Sequence, residues 1–179
     1  MKNRAFNFSY HSFRHTDVVP EVATVIKKVM NTSASVPQRE LLDALEQHRI
    51  EHGVAIGYLQ NDEGACIAVA GLHYLADAEL YEVICETLPG SDIYKTDALI
   101  FVINYAFHTL GIDKICARTN DTLMMNSLKD AGFAYCGERA FTEDGRNHIW
   151  NYFELENESL VADMQGQFLH SNTSWDNNL

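Results

Sequence analysis

Two periods of hydrophobic and polar residues divide the chain into short strands and helices. Apolar residues at every second position predict strands, and apolar residues three and four positions apart predict helices. The predicted strands span residues 6–13, 54–59, 65–73, 80–87, 112–118, 134–140 and 148–155. The predicted helices span residues 18–30, 35–52, 96–110 and 120–130. The order β-α-α-β-β-β-α-β-α-β-β predicts one mixed α/β domain in a chain of 179 residues.

The segment 96–133 carries the sharpest signals. Thr96 and Asp97 are good helix-capping residues, and Gly111 is a typical helix stop. A second helix start follows at Asn120-Asp121-Thr122, and Ala131-Gly132-Phe133 ends that helix. The segment therefore reads as a helix, a strand, an asparagine-containing corner and a short helix.

The residues of this segment and their spacing resemble the C-terminal half of the GNAT superfamily of N-acetyltransferases, most of all the branch that acetylates ribosomal-protein N-termini. The matching residues are Thr96-Asp97-Ala98-Leu99, Tyr105-Ala106-Phe107, Leu110-Gly111, Ala117-Arg118, Asn120 and Leu128-Lys129-Asp130-Ala131-Gly132-Phe133. The resemblance implies a single domain over residues 1–156 with a central, mostly antiparallel sheet flanked by helices. The sheet should splay at strand Leu80–Thr87, where the acyl-CoA would enter. Residues 157–179 form an extension, with a short helix predicted at 160–169 and a disordered tail from Ser171.

The resemblance also implies a function. An acetyl group would move from acetyl-CoA, as co-substrate, to a primary amine such as a protein N-terminus or a small amine. Direct attack is favoured over a cysteine-linked intermediate, since no nucleophile paired with a histidine is apparent. The positions implied to hold the cofactor are Ile84, Cys85, Gly90, Ser91, Lys95, Thr96, Asn120 and Asn126.

The phosphate-binding turn departs from the family pattern. Relatives carry Gly-x-Gly just before the helix, but this chain has Ser91 and Ile93 at those places, or Gly90 and Asp92 after a one-residue insertion. A side chain there hinders close approach of the backbone to a pyrophosphate, and Asp92 would add repulsion. Lys95 could compensate as a point charge.

The position of the general acid departs as well. Where relatives place a tyrosine or a serine to serve the departing thiolate, this chain has Leu128 and Met124, which cannot donate a proton. Ser127 is near but projects elsewhere around the helix. The alternative is therefore a degenerate GNAT-fold protein that binds a ligand or partner without catalysis.

Candidates for the acid–base residues come from the strands. Glu82 and Glu79 lie near the strand that faces substrate in this family, and burial of Glu82 beside Val83 predicts a raised pKa. Tyr135 is the first candidate for an unidentified acid. His73 could accept a proton near neutral pH.

Composition narrows the choice of partners. A net charge of −12 argues against nucleic acid, and no apolar run is long enough for a membrane span. Four cysteines, none in a C-x-x-C pair, indicate reduced thiols in a cytoplasmic protein without a structural metal; they are Cys66, Cys85, Cys116 and Cys136. A homodimer is left open.

Overall fold

The computed structural model describes residues 9–11, 20–29, 35–53, 56–76, 78–143 and 146–157. The strands are β1 (Ser9–His11), β2 (Ile56–Gln60), β3 (Cys66–Leu75), β4 (Leu80–Thr87), β5 (Lys114–Thr119), β6 (Ala134–Glu143) and β7 (Arg146–Glu156). The helices are α1 (Pro20–Val29), α2 (Gln38–His52), α3 (Lys95–Asn104) and α4 (Thr122–Asp130). A 3-10 turn, Asp92–Tyr94, precedes α3, and a π-turn, Tyr105–Thr109, follows it.

The strands form one seven-stranded sheet in the order β1-β2-β3-β4-β5-β7-β6. Every neighbouring pair is antiparallel except β4 and β5, which are parallel. The parallel pair is joined only at Tyr81↔Ile115 and Glu82↔Cys116, after which the two strands separate. The mixed α/β fold, with a mostly antiparallel sheet that splays at Leu80–Thr87, is confirmed.

The two faces of the sheet pack against different helices. The larger hydrophobic core joins α3 and α4 to one face, with Leu72, Val83 and Phe153 from the strands and Leu99 and Leu128 from the helices. The smaller core joins α1 and α2 to the other face; it contains Val22, Ile26, Leu41, Leu45, Ile56, Tyr58, Val69 and Leu88. Fully burying an aliphatic side chain of this kind contributes about 1.5–3 kcal/mol, so the larger core is the main stabilising element.

Several helix ends follow from local sequence. Gly53 adopts φ 69° and donates its amide N–H to the Arg49 carbonyl at 3.0 Å, which ends α2 as predicted. Asp121 caps α4, since its carboxylate accepts the Met124 amide at 2.9 Å.

The predicted capping role of Thr96 and Asp97 is wrong. The helix already begins at Lys95, directly after the 3-10 turn, so both residues lie inside its first turn and neither makes a side-chain cap. The turn itself is closed by backbone bonds, with the Tyr94 amide donating to the Ser91 carbonyl at 3.0 Å. The helix start is therefore built from backbone groups.

Some predictions fall outside the described residues. The predicted first strand overlaps β1 over three residues, and its remainder at 6–8 and 12–13 is not described. The same holds for the predicted helix at 160–169, the tail from Ser171 and therefore the boundary at residue 156. Among the helices that the structure does describe, none combines the length and the apolar character needed to cross a membrane.

Candidate active site

A cleft opens where β4 and β5 part. Beyond Glu82 and Cys116 the structure gives no further pairing between the two strands, although both are described to their ends. The edge of β4 from Val83 to Thr87 that faces β5 therefore presents backbone N–H and C=O groups to the cleft. An extended ligand with amide groups could pair with such an edge.

Glu82, at the closed end of the cleft, forms a two-pronged ion pair with Arg118. Arg118 Nε donates to Glu82 Oε1 at 2.6 Å, and Arg118 Nη2 donates to Glu82 Oε2 at 2.8 Å. The Glu82 side chain is only 7% exposed and that of Arg118 only 14%. Such short, paired bonds with low exposure are among the strong polar contacts in proteins.

The expected rise in the pKa of Glu82 is wrong. Burial alone raises it, but the hydrogen bonds and charge of Arg118, with a smaller contribution from His73, outweigh burial and hold the pKa of Glu82 below its ordinary value. The sequence places these partners 36 residues apart, so no local pattern reveals the pairing. Glu82 is thus a permanent carboxylate near neutral pH and a weak proton acceptor.

His73 lies beside this carboxylate. It is the cross-strand neighbour of Glu82 on β3, and its Nδ1 is 3.8 Å from Glu82 Oε2. Its side chain is 42% exposed, so it is open to solvent and to a ligand. A carboxylate held next to an accessible imidazole can stabilise the imidazolium that forms when the ring takes up a proton.

Two histidines of α2 extend the group. The His48 ring lies 4.9 Å from the His73 ring and 4.7 Å from the His52 ring, measured between centroids. His48 Nε2 accepts the Tyr74 amide at 3.4 Å. Burial, and then the neighbouring His73 and His52, lower the pKa of His48 to about 4. His48 is therefore a neutral ring that packs against His73.

The predicted phosphate-binding turn, between β4 and α3, is held by its own hydrogen bonds. Gly90 adopts φ 84°, a conformation that glycine provides without strain, and the Ser91 amide donates to the Leu88 carbonyl at 2.9 Å. Asp92 is exposed, and its Oδ1 accepts the Thr87 hydroxyl at 2.6 Å. A carboxylate thus sits at the end of β4 where the open edge meets the turn.

Lys95 is the opposite charge in this region. It is the first residue of α3 and is only 4% exposed, and among the described residues no carboxylate lies within 4 Å of its ammonium group. Its backbone carbonyl accepts the thiol of Cys85 on β4, and its charge adds to the hydrogen bond from the Met124 amide in lowering the pKa of Asp121 at the start of α4. A buried cation is costly unless an opposite charge lies near it, which makes Lys95 the candidate in this region for holding an anion.

The other predicted cofactor residues are spread along the cleft and around it. Ile84 is half-buried on the open part of β4 and packs against the smaller core. Cys85 points to the larger core, where its thiol donates to the Lys95 carbonyl at 3.9 Å. Thr96 is half-buried in the first turn of α3. Their contact with a cofactor stays a prediction.

The two asparagines differ. Asn120 ties the corner after β5 to β7: its Nδ2 donates to the Ile149 carbonyl at 2.9 Å, and its Oδ1 accepts the Asn151 side chain at 3.0 Å. Asn126 is exposed on α4. The side chain of Asn120 is therefore engaged within the protein, whereas that of Asn126 faces solvent.

The structure does not bring Tyr135 to Glu82. Tyr135 is paired with Phe153, which lies in the row of Ala117, whereas Glu82 lies in the neighbouring row with Cys116. Since successive rows point to opposite faces, the two side chains are on opposite sides of the sheet. The Tyr135 hydroxyl instead hydrogen-bonds Asn151 Oδ1 at 3.1 Å.

Glu79 is exposed in the turn before β4 with φ 51°. Its role stays a prediction. On α4, Met124 and Leu128 are 8% and 0% exposed and belong to the larger core. Neither offers a proton.

The thiols near the cleft are poor nucleophiles. Burial raises the pKa of Cys85 and of Cys116 to about 12, so both stay protonated at neutral pH. Among the described residues, no group of three or more histidine, cysteine, aspartate or glutamate side chains has the arrangement of a metal site.

Arg118 and His48 are the site residues that sequence reasoning missed. Arg118 figured only within the Ala117-Arg118 match, although it occupies a polar position of an otherwise buried strand. That position was the available signal, because a buried strand arginine requires a partner. His48 gave no signal, since its contacts come from a different element.

Comparison with known proteins supports the fold. No known family profile and no curated protein matches the chain. A solved structure of a spermidine N-acetyltransferase from Vibrio cholerae in complex with CoA and spermine is similar over 87% of this chain and 98% of its own, with a TM-score of 0.69 and 12% identity. A chimera of that enzyme gives the same TM-score over 87% of this chain and 99% of its own, at 12% identity. A structure described as a probable acetyltransferase covers 85% of this chain and 94% of its own, with a TM-score of 0.61 and 15% identity. The chain thus has the GNAT acetyltransferase fold.

Proposed function

We propose that this protein transfers an acetyl group from acetyl-CoA to a primary amine by direct attack. The observation that carries the proposal is the cleft between β4 and β5, whose closed end holds His73 beside the ionised Glu82. A solved structure with this fold contains CoA and spermine, which are a thioester carrier and an amine.

In the proposed step the amine nitrogen attacks the thioester carbonyl carbon. The carbon–nitrogen bond forms, the carbon–sulfur bond breaks, and CoA leaves as a thiolate. His73 accepts the proton that the amine loses, directly or through one water, and Glu82 stabilises the resulting imidazolium. Glu82 thereby acts as the partner of the base. The sequence predicted Glu82 itself as the base, but its lowered pKa makes it too weak a proton acceptor.

The thiolate has no side-chain acid at the family position, because Met124 and Leu128 are apolar. Water then protonates it after departure. The rate should therefore rise with pH to a plateau without a fall on the alkaline side. Ionisation of Cys85 and Cys116 should not change the rate at moderately alkaline pH, since the pKa of each is about 12. A bell-shaped profile would contradict this assignment.

The cofactor would lie with its amide-containing arm along Val83–Thr87 and its phosphates near Lys95. The ammonium of Lys95 and the amide groups of the first turn of α3 would bind the pyrophosphate. The acceptor belongs to the amines that carry additional positive charge, as the net charge of −12 attracts cations to the protein.

The test is turnover with an amine panel. Purified protein is incubated with acetyl-CoA and, separately, with spermidine, spermine, putrescine or short peptides with free N-termini. Free thiol release and the mass of the acetylated product are then measured. We expect thiol release matched by product with at least one amine, and none with acetyl-CoA alone.

A second candidate function is ligand binding without catalysis. It is favoured by Asp92 at the phosphate turn and by the absence of an acid at Met124 and Leu128. Saturable CoA binding by calorimetry, together with no turnover on any amine at any pH, would support this function over the enzyme.

A further inference from the structure

The Glu82–Arg118 ion pair joins β4 to β5 at the place where the two strands separate. Glu82 is the last residue of β4 that is paired with β5, through Cys116. Arg118 lies two residues further along β5, past the end of that pairing, and its guanidinium reaches Glu82 at 2.6 and 2.8 Å. The ion pair therefore bridges β4 and β5 with side chains at the closed end of the cleft, just where the backbone ladder stops.

Stability alone does not explain this pair. Removing two charges from water costs several kcal/mol, and a buried ion pair is often no more stabilising than apolar side chains of the same size. The larger core already joins β4 and β5 through Val83 and Ile115. A planar guanidinium that binds both carboxylate oxygens does, however, fix the orientation of the carboxylate.

The orientation that Arg118 fixes points the Glu82 carboxylate toward His73. With Arg118 on one side, Glu82 Oε2 keeps an edge toward His73, whose Nδ1 is 3.8 Å away. A carboxylate without this clamp would be free to rotate or to take up a proton on burial, and it would then no longer stabilise a positive His73.

We infer that Arg118 is a positioning residue: its two-pronged bond to Glu82 holds the separation of β4 and β5 and keeps Glu82 directed at His73. This inference rests on the proposed acetyl transfer for its effect on rate. Its effect on the strands does not depend on turnover. Arg118 itself does not touch the reacting atoms.

The test compares four variants with the wild-type chain. Arg118→Met removes the charge, Arg118→Lys keeps the charge but loses the fork, and Glu82→Gln keeps the shape but loses the negative charge. The double variant Glu82→Gln/Arg118→Met closes the thermodynamic cycle. Arg49→Met is the matched control, because Arg49 makes the same two-pronged bond to Glu46, at 2.9 and 2.8 Å, within α2.

With saturating acetyl-CoA and amine, we expect Arg118→Met to lower kcat about 100-fold and Arg118→Lys about tenfold. Arg49→Met should stay within about twofold of wild type. The double variant should be no slower than Arg118→Met alone, since residues that act as a unit are not additive. Full activity of Arg118→Lys, or kcat of Arg118→Met within about threefold of wild type despite a lower unfolding midpoint, would overturn the inference.

Amide hydrogen exchange tests the strands without turnover. We expect faster exchange at Val83–Thr87 and Ala117–Thr119 in Arg118→Met, and unchanged exchange there in Arg49→Met. If the wild type fails to turn over any amine, the proposed function falls, and this exchange result still decides whether Arg118 holds the strands. If Arg118→Met does not fold, Arg118→Lys and Glu82→Gln carry both measurements, with exchange like wild type in both as the contrary result.

Discussion

The two ends of the cleft are built in different ways. At the closed end, Glu82, His73 and Arg118 come from three strands, and two short bonds fix the carboxylate. At the open end, the buried cation Lys95 and the exposed carboxylate Asp92 lie within one turn and the helix that follows it.

The comparison shows which function depends on which kind of support. Proton transfer needs groups held at a defined distance, and strands packed into a sheet provide that rigidity. Binding of a polyphosphate tolerates looser geometry, since a point charge and free amide groups act over several ångströms. The closed end should therefore govern rate, and the open end should govern affinity for CoA.

The largest effect should come from His73. His73→Gln removes the proposed proton acceptor, so we expect kcat to fall about 100-fold or more, with CoA affinity within about twofold of wild type. Steady-state kinetics and calorimetry measure the two quantities. The control is His108→Gln, an exposed histidine on the π-turn after α3. Equal loss of CoA affinity would show that the two ends are not separable.

Lys95 tests the open end. Lys95→Met removes a buried charge but keeps a similar apolar volume, so CoA should bind about tenfold more weakly, which is about 1.4 kcal/mol. The unliganded protein should not lose thermal stability, because the buried cation has no carboxylate within 4 Å among the described residues. Lys129→Met, an exposed lysine of α4, is the control. Unchanged CoA affinity would place the phosphates elsewhere.

The histidine group at the closed end predicts a pH dependence of stability. The pKa of His48 falls from its ordinary 6.5 to about 4 on folding, chiefly by burial. The stability that the neutral His48 ring contributes is therefore fully present above pH 6.5 and is lost as the pH falls toward 4, because the unfolded chain then binds a proton that the folded protein does not. We expect the free energy of unfolding to decrease by about 1 kcal/mol over this window, after allowance for solvent screening of a half-buried ring.

Urea unfolding of the wild type and of His48→Gln at several pH values in this window measures the change. The variant should lose this part of the acid sensitivity. The control His148→Gln, in an exposed position of β7, should retain it. Identical pH dependence in wild type and His48→Gln would contradict the assignment.

Substitution of Asp92 should give the smallest change in CoA affinity, and it tests the role of the open end further. Asp92→Asn removes the carboxylate and keeps an acceptor for the Thr87 hydroxyl, so CoA should bind about threefold more tightly. Calorimetry at low salt is the measurement, with Asp62→Asn in the exposed β2–β3 turn as the control. Weaker binding on loss of this charge would mean that Asp92 supports the turn and does not oppose the phosphates.

Much of the fold was predictable because its signals are local. The ends of α2 at Gly53 and of α4 at Asp121 follow from one residue each, and the predicted bounds of β4 match the structure. The predicted start of α3 at Thr96 is wrong. The preceding 3-10 turn is closed by hydrogen bonds between backbone groups, and no pattern of side chains in the sequence indicates them.

The candidate site was predictable in part. The sequence pointed to the strand of Glu82, to His73 and to Lys95, since each is an ionisable residue next to a recognisable motif. It could not give the pKa of Glu82, which depends on an arginine 36 residues away, nor the position of Tyr135 on the opposite face. Both depend on the register between strands.

The sequence by itself determined the mixed α/β order, the division into short elements and the absence of a polar donor at Met124 and Leu128, because these are properties of neighbouring residues. Only the tertiary structure decided that Glu82 is held ionised by Arg118, that His73 and His48 pack together and that Lys95 is buried at the start of α3. The physical reason is that charge, burial and proton affinity depend on what lies within a few ångströms, and a sheet assembles that neighbourhood from strands far apart in the chain.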